Sequence, residues 1–142
     1  MAGMGNVWVG FVATVCLLGA IACGERQEFG IDTTSLPKIG VEWGLTREEI
    51  CAGTGSPAVR LTELPAGVVS YDVLMTDLDS PRFRHWKETI MSQQAVIPAR
   101  KGIGYAGPQC PANGHRYRIA VIARNAQQEP IAYGEHTIVA GR

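Results

Sequence analysis

The sequence predicts a mainly β domain, with short strands packed as a sandwich or a barrel-like sheet, behind an apolar N-terminal segment. Three observations carry this. Beyond about residue 39, apolar and polar residues alternate in short runs, the period of a strand with one face on a core. Gly (17) and Pro (8) are scattered between these runs, which suits turns and loops better than long helices. The 142 residues, 46% of them apolar, are enough for one core of ordinary size and call for no second domain.

The chain opens on residues 7–23, which carry no charge. This is the length of a secretory h-region and falls short of the roughly 20 apolar residues of a spanning helix. Ala20 and Ala22 precede Cys23, which fits cleavage after Ala22 and also resembles a bacterial lipobox whose Cys23 becomes a lipid-modified N-terminus. Two departures stand beside this: no Lys or Arg precedes the run, and Ala20 occupies a place where a lipobox carries Leu. The expectation is export, with residues 1–22 a signal peptide, 23–38 a polar tether and 39–142 the domain. The product would be a membrane-anchored lipoprotein or a periplasmic or secreted protein, with an uncleaved anchor as the remaining reading. Cys16 would leave with the signal. If Cys23 is acylated, Cys51 and Cys110 remain, to be joined in an oxidising compartment where geometry permits or to stay as free thiols.

Thirteen Lys and Arg balance thirteen Asp and Glu, so no excess of positive charge draws the domain to nucleic acid or to an anionic membrane surface. Partners must be recognised locally, and the only membrane contact expected is a lipid on Cys23.

Along the domain, Thr46 followed by Glu48 and Glu49 gives a capped first turn for one short helix over residues 46–52. Val69, Tyr71, Val73 and Met75 alternate with Ser70, Asp72 and Thr76. Tyr117, Ile119, Val121 and Ala123 alternate with Arg116, Arg118 and Arg124. Both runs read as half-buried strands. Residues 131–139 read as one more strand or as a hairpin around Gly134.

Carrying the alternation past the strand ends locates the chemistry. Asp77 and Asp79 continue the inward row of Tyr71, Val73 and Met75, and the strand stops at Pro81. His115 precedes Tyr117 by two and so lies on the inward face of the other strand. A carboxylate and an imidazole at the mouth of a core are costly unless paired, so an Asp-His cluster is expected there. His85, beside Trp86, follows the Asp77 turn closely enough to join it. The Gly- and Pro-rich stretch 102–117 lets backbone approach a ligand and turn N–H groups toward anionic oxygens, although it lacks the lysine of a P-loop.

Several motifs follow in order: Ser56-Pro57-Ala58-Val59-Arg60-Leu61, Leu64-Pro65-Ala66-Gly67, Ser70-Tyr71, Asp77-Leu78-Asp79-Ser80-Pro81, His85-Trp86, Tyr105-Ala106-Gly107-Pro108, Cys110-Pro111 and Gly114-His115-Arg116-Tyr117. This series resembles the phosphatidylethanolamine-binding, or Raf kinase inhibitor-like, family, as a bacterial exported member. The resemblance implies an antiparallel β-sandwich with few short helices. It also implies a small anion-binding pocket made by Asp77, His85, His115 and Tyr117, with backbone help from Gly107 and Pro108 and with Asp79 and Pro81 shaping the wall. Leu78, Ser80, Leu61 and Gln109-Cys110 depart from the family pattern, so the pocket's shape is expected to differ.

The function expected is reversible binding of a small phosphorylated or zwitterionic ligand, strengthening toward pH 6 as imidazoles gain protons. No cofactor or metal is called for, because the histidine spacing matches no metal motif. Nor is an enzyme indicated, since Ser80 lacks a nucleophile-elbow context. The alternative is a regulatory interaction protein that inhibits a kinase or protease through a rim at Arg82, Phe83 and Arg84.

Overall fold

The computed structural model describes residues 29–53, 55–101 and 104–141. The expected signal segment 1–22, the lipidation site Cys23 and the first part of the tether lie outside the described residues. The chain divides into the units Met1–Ile31 and Asp32–Arg142, and the second holds every element described below. In chain order these are β1 Gly40–Trp43, α1 Arg47–Ala52, β2 Gly55–Ser56, β3 Val59–Thr62, β4 Ser70–Asp77, β5 Arg84–Met91, β6 Val96–Ile97, β7 Arg100–Lys101, β8 His115–Arg124 and β9 Pro130–Ala140.

The strands pair antiparallel into a four-stranded sheet of order β5-β4-β8-β9, a three-stranded sheet β1-β3-β6 and a small pair β2-β7. The core lies between the two larger sheets. Tyr71, Val73 and Met75 of β4, Trp86 and Ile90 of β5, and Tyr117, Ile119 and Val121 of β8 meet Val41, Val59, Leu61 and Ile97 from the opposite sheet. Each such side chain contributes about 1.5–3 kcal/mol by leaving water, which fixes which face of β4 and β8 turns inward. Tyr71 is wholly buried, and its hydroxyl donates to the Gln94 carbonyl oxygen at 3.0 Å.

The central strands are buried more fully than alternation suggests. Leu74, Ala120 and Ile122 point to the other face of the sheet and are also buried, so β4 and β8 are not the half-buried strands read from the sequence. All three are apolar residues standing among the polar partners of the alternation. They form a strip in the middle of the sheet, flanked by the Asp72–Arg124 and Glu135–Arg118 ion pairs.

The stretch 131–139 is one continuous strand through Gly134, not a hairpin, and the reason is a close approach. A Cβ at Gly134 would sit 2.3 Å from the Ile39 carbonyl oxygen and 2.8 Å from Val41 Cγ2. Glycine there lets β9 run beneath the start of β1. Ile39 N–H donates to the Tyr133 oxygen at 3.0 Å, Tyr133 N–H to the Pro37 oxygen at 2.9 Å, and Trp43 Nε1–H to the His136 oxygen at 2.9 Å. Part of the stretch read as tether therefore runs along β9, with Thr33 buried and the Lys38 ammonium 4.6 Å above the Tyr133 ring.

The short helix forms because its first turn is closed on both sides. Thr46 Oγ1 accepts from Glu49 N–H at 3.2 Å, and Glu49 Oε2 accepts from Thr46 N–H at 2.6 Å, a capping box. Ile50 is its one buried side chain, and the helix gives way at Gly53.

Candidate ligand-binding pocket

Where β4 and β8 meet at one end of the large sheet, Asp77 is the cross-strand partner of Tyr117, and His115 stands two residues earlier on β8. The Asp77 carboxylate is buried and holds the turn that follows it. Its Oδ1 accepts from the N–H groups of Asp79 at 2.8 Å and Ser80 at 3.0 Å. Its Oδ2 accepts from His115 Nδ1–H at 2.7 Å. That bond fixes the tautomer: a neutral His115 keeps its proton on Nδ1 and presents a lone pair at Nε2, and only the imidazolium has a second N–H to offer.

His85 reaches the same place through an irregularity in β5. Met75 pairs with Trp86 but Thr76 pairs with Arg84, so His85 is the extra residue of a β-bulge. Strict alternation would place His85 and Trp86 on opposite faces. The bulge turns both inward, and they are 3% and 1% exposed. His85 Nδ1–H donates to the Ala106 carbonyl oxygen, while the His85 carbonyl oxygen takes Ala106 N–H at 2.8 Å. These two contacts tie the Gly-rich segment to the edge of β5. His85 Nε2 is left buried with no hydrogen-bond partner, 3.9 Å from Asp77 Oδ2. A buried polar nitrogen left without a hydrogen-bond partner is costly, and here it belongs to a side chain at the edge of a hollow.

The rings are packed around this point. His85 meets Phe83 edge-on at 4.7 Å and Tyr117 edge-on at 5.3 Å, and His115 stacks on Tyr117 at 6.2 Å. Tyr117 is 1% exposed. Burial first, and then the charges of Asp77 and Asp79, push its hydroxyl up to about 12, so it remains a proton donor across the neutral range. The hollow is a cavity of about 250 Å³ lined by Asp77, Ser80, Phe83, His85, Pro108, Gln109, Pro111, His115 and Tyr117.

Of the residues singled out in the sequence, Asp77, His85, His115, Tyr117 and Pro108 converge on this hollow. Three do not line it. Asp79 is drawn outward by Arg116, whose Nη2 lies 2.9 Å from Oδ1 and whose backbone N–H lies 2.7 Å from Oδ2; these bonds hold its carboxyl below the usual carboxylate range. Pro81 borders a neighbouring hollow with Ser80, Arg82 and Phe83. Gly107 packs instead on Gly53, where an added Cβ would come within 2.9 Å of the Gly53 oxygen. Sequence reasoning missed Ser80, Phe83, Gln109 and Pro111 as lining. Ser80 and Gln109 had been visible as departures from the family motifs, and Phe83 as part of an exposed Arg-Phe-Arg patch. Cys51 and Cys110 are joined by a disulfide that ties α1 to the segment bearing Pro108 and Gln109. Among the described residues, no cluster of three or more His, Cys, Asp or Glu side chains is arranged to hold a metal ion.

Two facing antiparallel sheets with an Asp-His-His-Tyr hollow at one end define a β-sandwich binding module. The family model described as phosphatidylethanolamine-binding protein matches residues 31–140, and the chain belongs to that family. Among solved structures it is similar to YbcL of E. coli, described as a new member of the mammalian PEBP family. The two share 19% identity over 73% of this chain and 98% of the other, with a TM-score of 0.56, a likeness of fold. No protein of curated function matches the sequence.

Proposed function

We propose that this protein is an exported carrier or sensor that reversibly binds a small ligand through an anionic, phosphate-type head group held in the Asp77-His85-His115-Tyr117 hollow. The observation that carries the reading is His85 Nε2, buried and without a partner beside the hollow. Tyr117 O–H and the Nε2 atoms of the two imidazoles would meet the head-group oxygens, donating wherever they bear a proton. Asp77 already accepts three hydrogen bonds, which favours a positioning role for it over contact with a ligand ammonium. Among the described residues neither Lys nor Arg lines the hollow, so monoanions and zwitterions suit it better than dianions. Imidazoles take their second proton between about pH 5 and 8, and anion binding should strengthen as pH falls toward about 6.

Binding rather than catalysis is favoured because Ser80 is not hydrogen-bonded to an imidazole: its N–H closes the Asp77 turn, and His115 is engaged by Asp77. Export is supported by the uncharged residues 7–23, with Cys23 as the lipid site or Ala22 as the cleavage site. The test is a titration of inorganic phosphate and of phosphoethanolamine, followed by the imidazole resonances of His85 and His115. Shifts that grow from pH 7.5 to 6 are expected, and silent imidazoles at both pH values would end the proposal.

A second reading rests on Phe83, which is 42% exposed between exposed Arg82 and Arg84 at the pocket rim. Such an aromatic flanked by cations suits an acidic protein surface. Binding of a purified partner that survives both Asp77→Ala and His115→Ala would favour regulation through the rim over head-group capture.

A further inference from the structure

The wall of the hollow formed by Pro108, Gln109 and Pro111 belongs to a segment, from Gly104 to Gly114, that joins no sheet. Its attachments can be named. Ala106 is bonded to His85, as above. Tyr105 packs on the core beside Trp86, and Gly114 lies against Val139 and Gly141; between them, Cys110 N–H donates to the Ile50 oxygen at 2.9 Å, Gly107 rests on Gly53 just past α1, and the disulfide joins Cys110 to Cys51. The helix is six residues long with one buried side chain, a weak anchor unless covalently fastened. Cys110 also has φ of 54°, a left-handed conformation unusual for a residue with a Cβ and kept only when its surroundings enforce it.

We propose that the Cys51–Cys110 disulfide is the positioning device of the ligand pocket and makes its affinity depend on redox state. The affinity part rests on the head-group reading above. Cys51 is exposed, so a thiolate of a dithiol reductant can attack its sulfur. Cys110 leaves as a thiolate and takes a proton. The reductant's second thiolate then attacks the mixed disulfide, frees Cys51, which also takes a proton, and closes the reductant's own disulfide. Two electrons pass from dithiol to protein. Released, Cys110 relaxes from its left-handed conformation, Pro108 and Gln109 leave the wall, and the Ala106 hold on His85 loosens. The sandwich itself keeps its core, which is built from the strands and against which this segment packs Tyr105, edge-on to Trp86.

The test uses the full chain in oxidised, dithiol-reduced and re-oxidised states. Inorganic phosphate is titrated against the His85 and His115 resonances, and amide exchange is followed at Ala106 and Cys110 beside Met75 and Ile119 of the central strands. Reduction should weaken phosphate about tenfold, the scale of re-ordering one or two loop side chains on binding. It should speed exchange at Ala106 and Cys110 by at least about tenfold, leave Met75 and Ile119 unchanged, and be reversed by re-oxidation. The Cys51→Ser and Cys110→Ser pair should copy the reduced state, which assigns the effect to the bond and not to the reductant. Phosphate silent in every state would sink the head-group reading, while the exchange contrast would still establish the clamp. Equal exchange and equal affinity in both states overturn the proposal. So does a reduced protein that exchanges quickly at Met75 and Ile119 as well, since the bond would then be a staple of the whole domain.

Discussion

Replacing Asp77 by Asn changes one atom and puts the tautomer argument at risk. The amide oxygen can stay where Oδ1 was, accepting from Asp79 and Ser80 N–H at 2.8 and 3.0 Å, so the turn survives. The amide NH2 then faces His115 Nδ1, which at present donates across 2.7 Å. Two donors cannot share that bond, and His115 must move its proton to Nε2. A hydrogen bond to a charged group is worth roughly 1.5–3 kcal/mol and a neutral one about 0.5–1.5, so the variant should lose about 2 kcal/mol once the weaker turn bonds are included. For a domain of about 110 residues, at about 4 °C per kcal/mol, the melting temperature should fall by roughly 8 °C. Nitrogen-resolved imidazole spectra give the second readout: the His115 Nδ1–H signal should vanish and an Nε2–H signal appear. The Tyr117 hydroxyl should also titrate at lower pH than in the parent protein, because one of the charges that raises it is gone while burial, the largest cause, remains. An Asp77→Asn protein that keeps its Nδ1–H and melts within about 1 °C of the parent refutes this account of the carboxylate.

Three further outcomes follow from the same structure. Tyr105 and Tyr117 are both pushed up to about 12, chiefly by burial. Each binds its proton more tightly folded than unfolded, so the stability they contribute is whole below about pH 10 and is lost as pH rises through about 12. Ultraviolet titration should show two tyrosines ionising last, together with alkaline unfolding. Asp79 lies below the ordinary carboxylate range through its hydrogen bonds to Arg116, so its contribution is present above about pH 4 and is lost as pH falls through its folded value; in Arg116→Ala the Asp79 carboxyl resonance should titrate at higher pH. Gly134→Ala would force a methyl to within 2.3 Å of the Ile39 oxygen, and denaturant unfolding should show a loss of about 2–3 kcal/mol, with unchanged stability arguing against the close passage of β9 under β1.

The strand cores around Tyr71 and Ile119 and the helix at Thr46 were legible because each depends on local alternation or capping, whereas β4 ends at Asp77, before the Pro81 read as its stop, because the Asp77 carboxylate closes a turn on Asp79 and Ser80. The family followed from ordered motifs that occupy the turns around those strands. Gly134 was ambiguous, since a glycine in a strand signals a turn or a close approach equally well until its neighbour is known.

The sequence by itself determined that β4 and β8 present an aspartate and a histidine at one mouth of a core, because side-chain period and strand ends are properties of a single segment, while the family resemblance implied the tyrosine. That His85 joins them was expected from its nearness to the Asp77 turn and from the family resemblance, but only the tertiary structure decided how, since the bulge that turns it inward exists only in the pairing of β5 with β4. The outward pull of Arg116 on Asp79 and the fastening of the Gly-rich wall to α1 through Cys110 likewise depend on segments far apart in the chain, which no local periodicity relates.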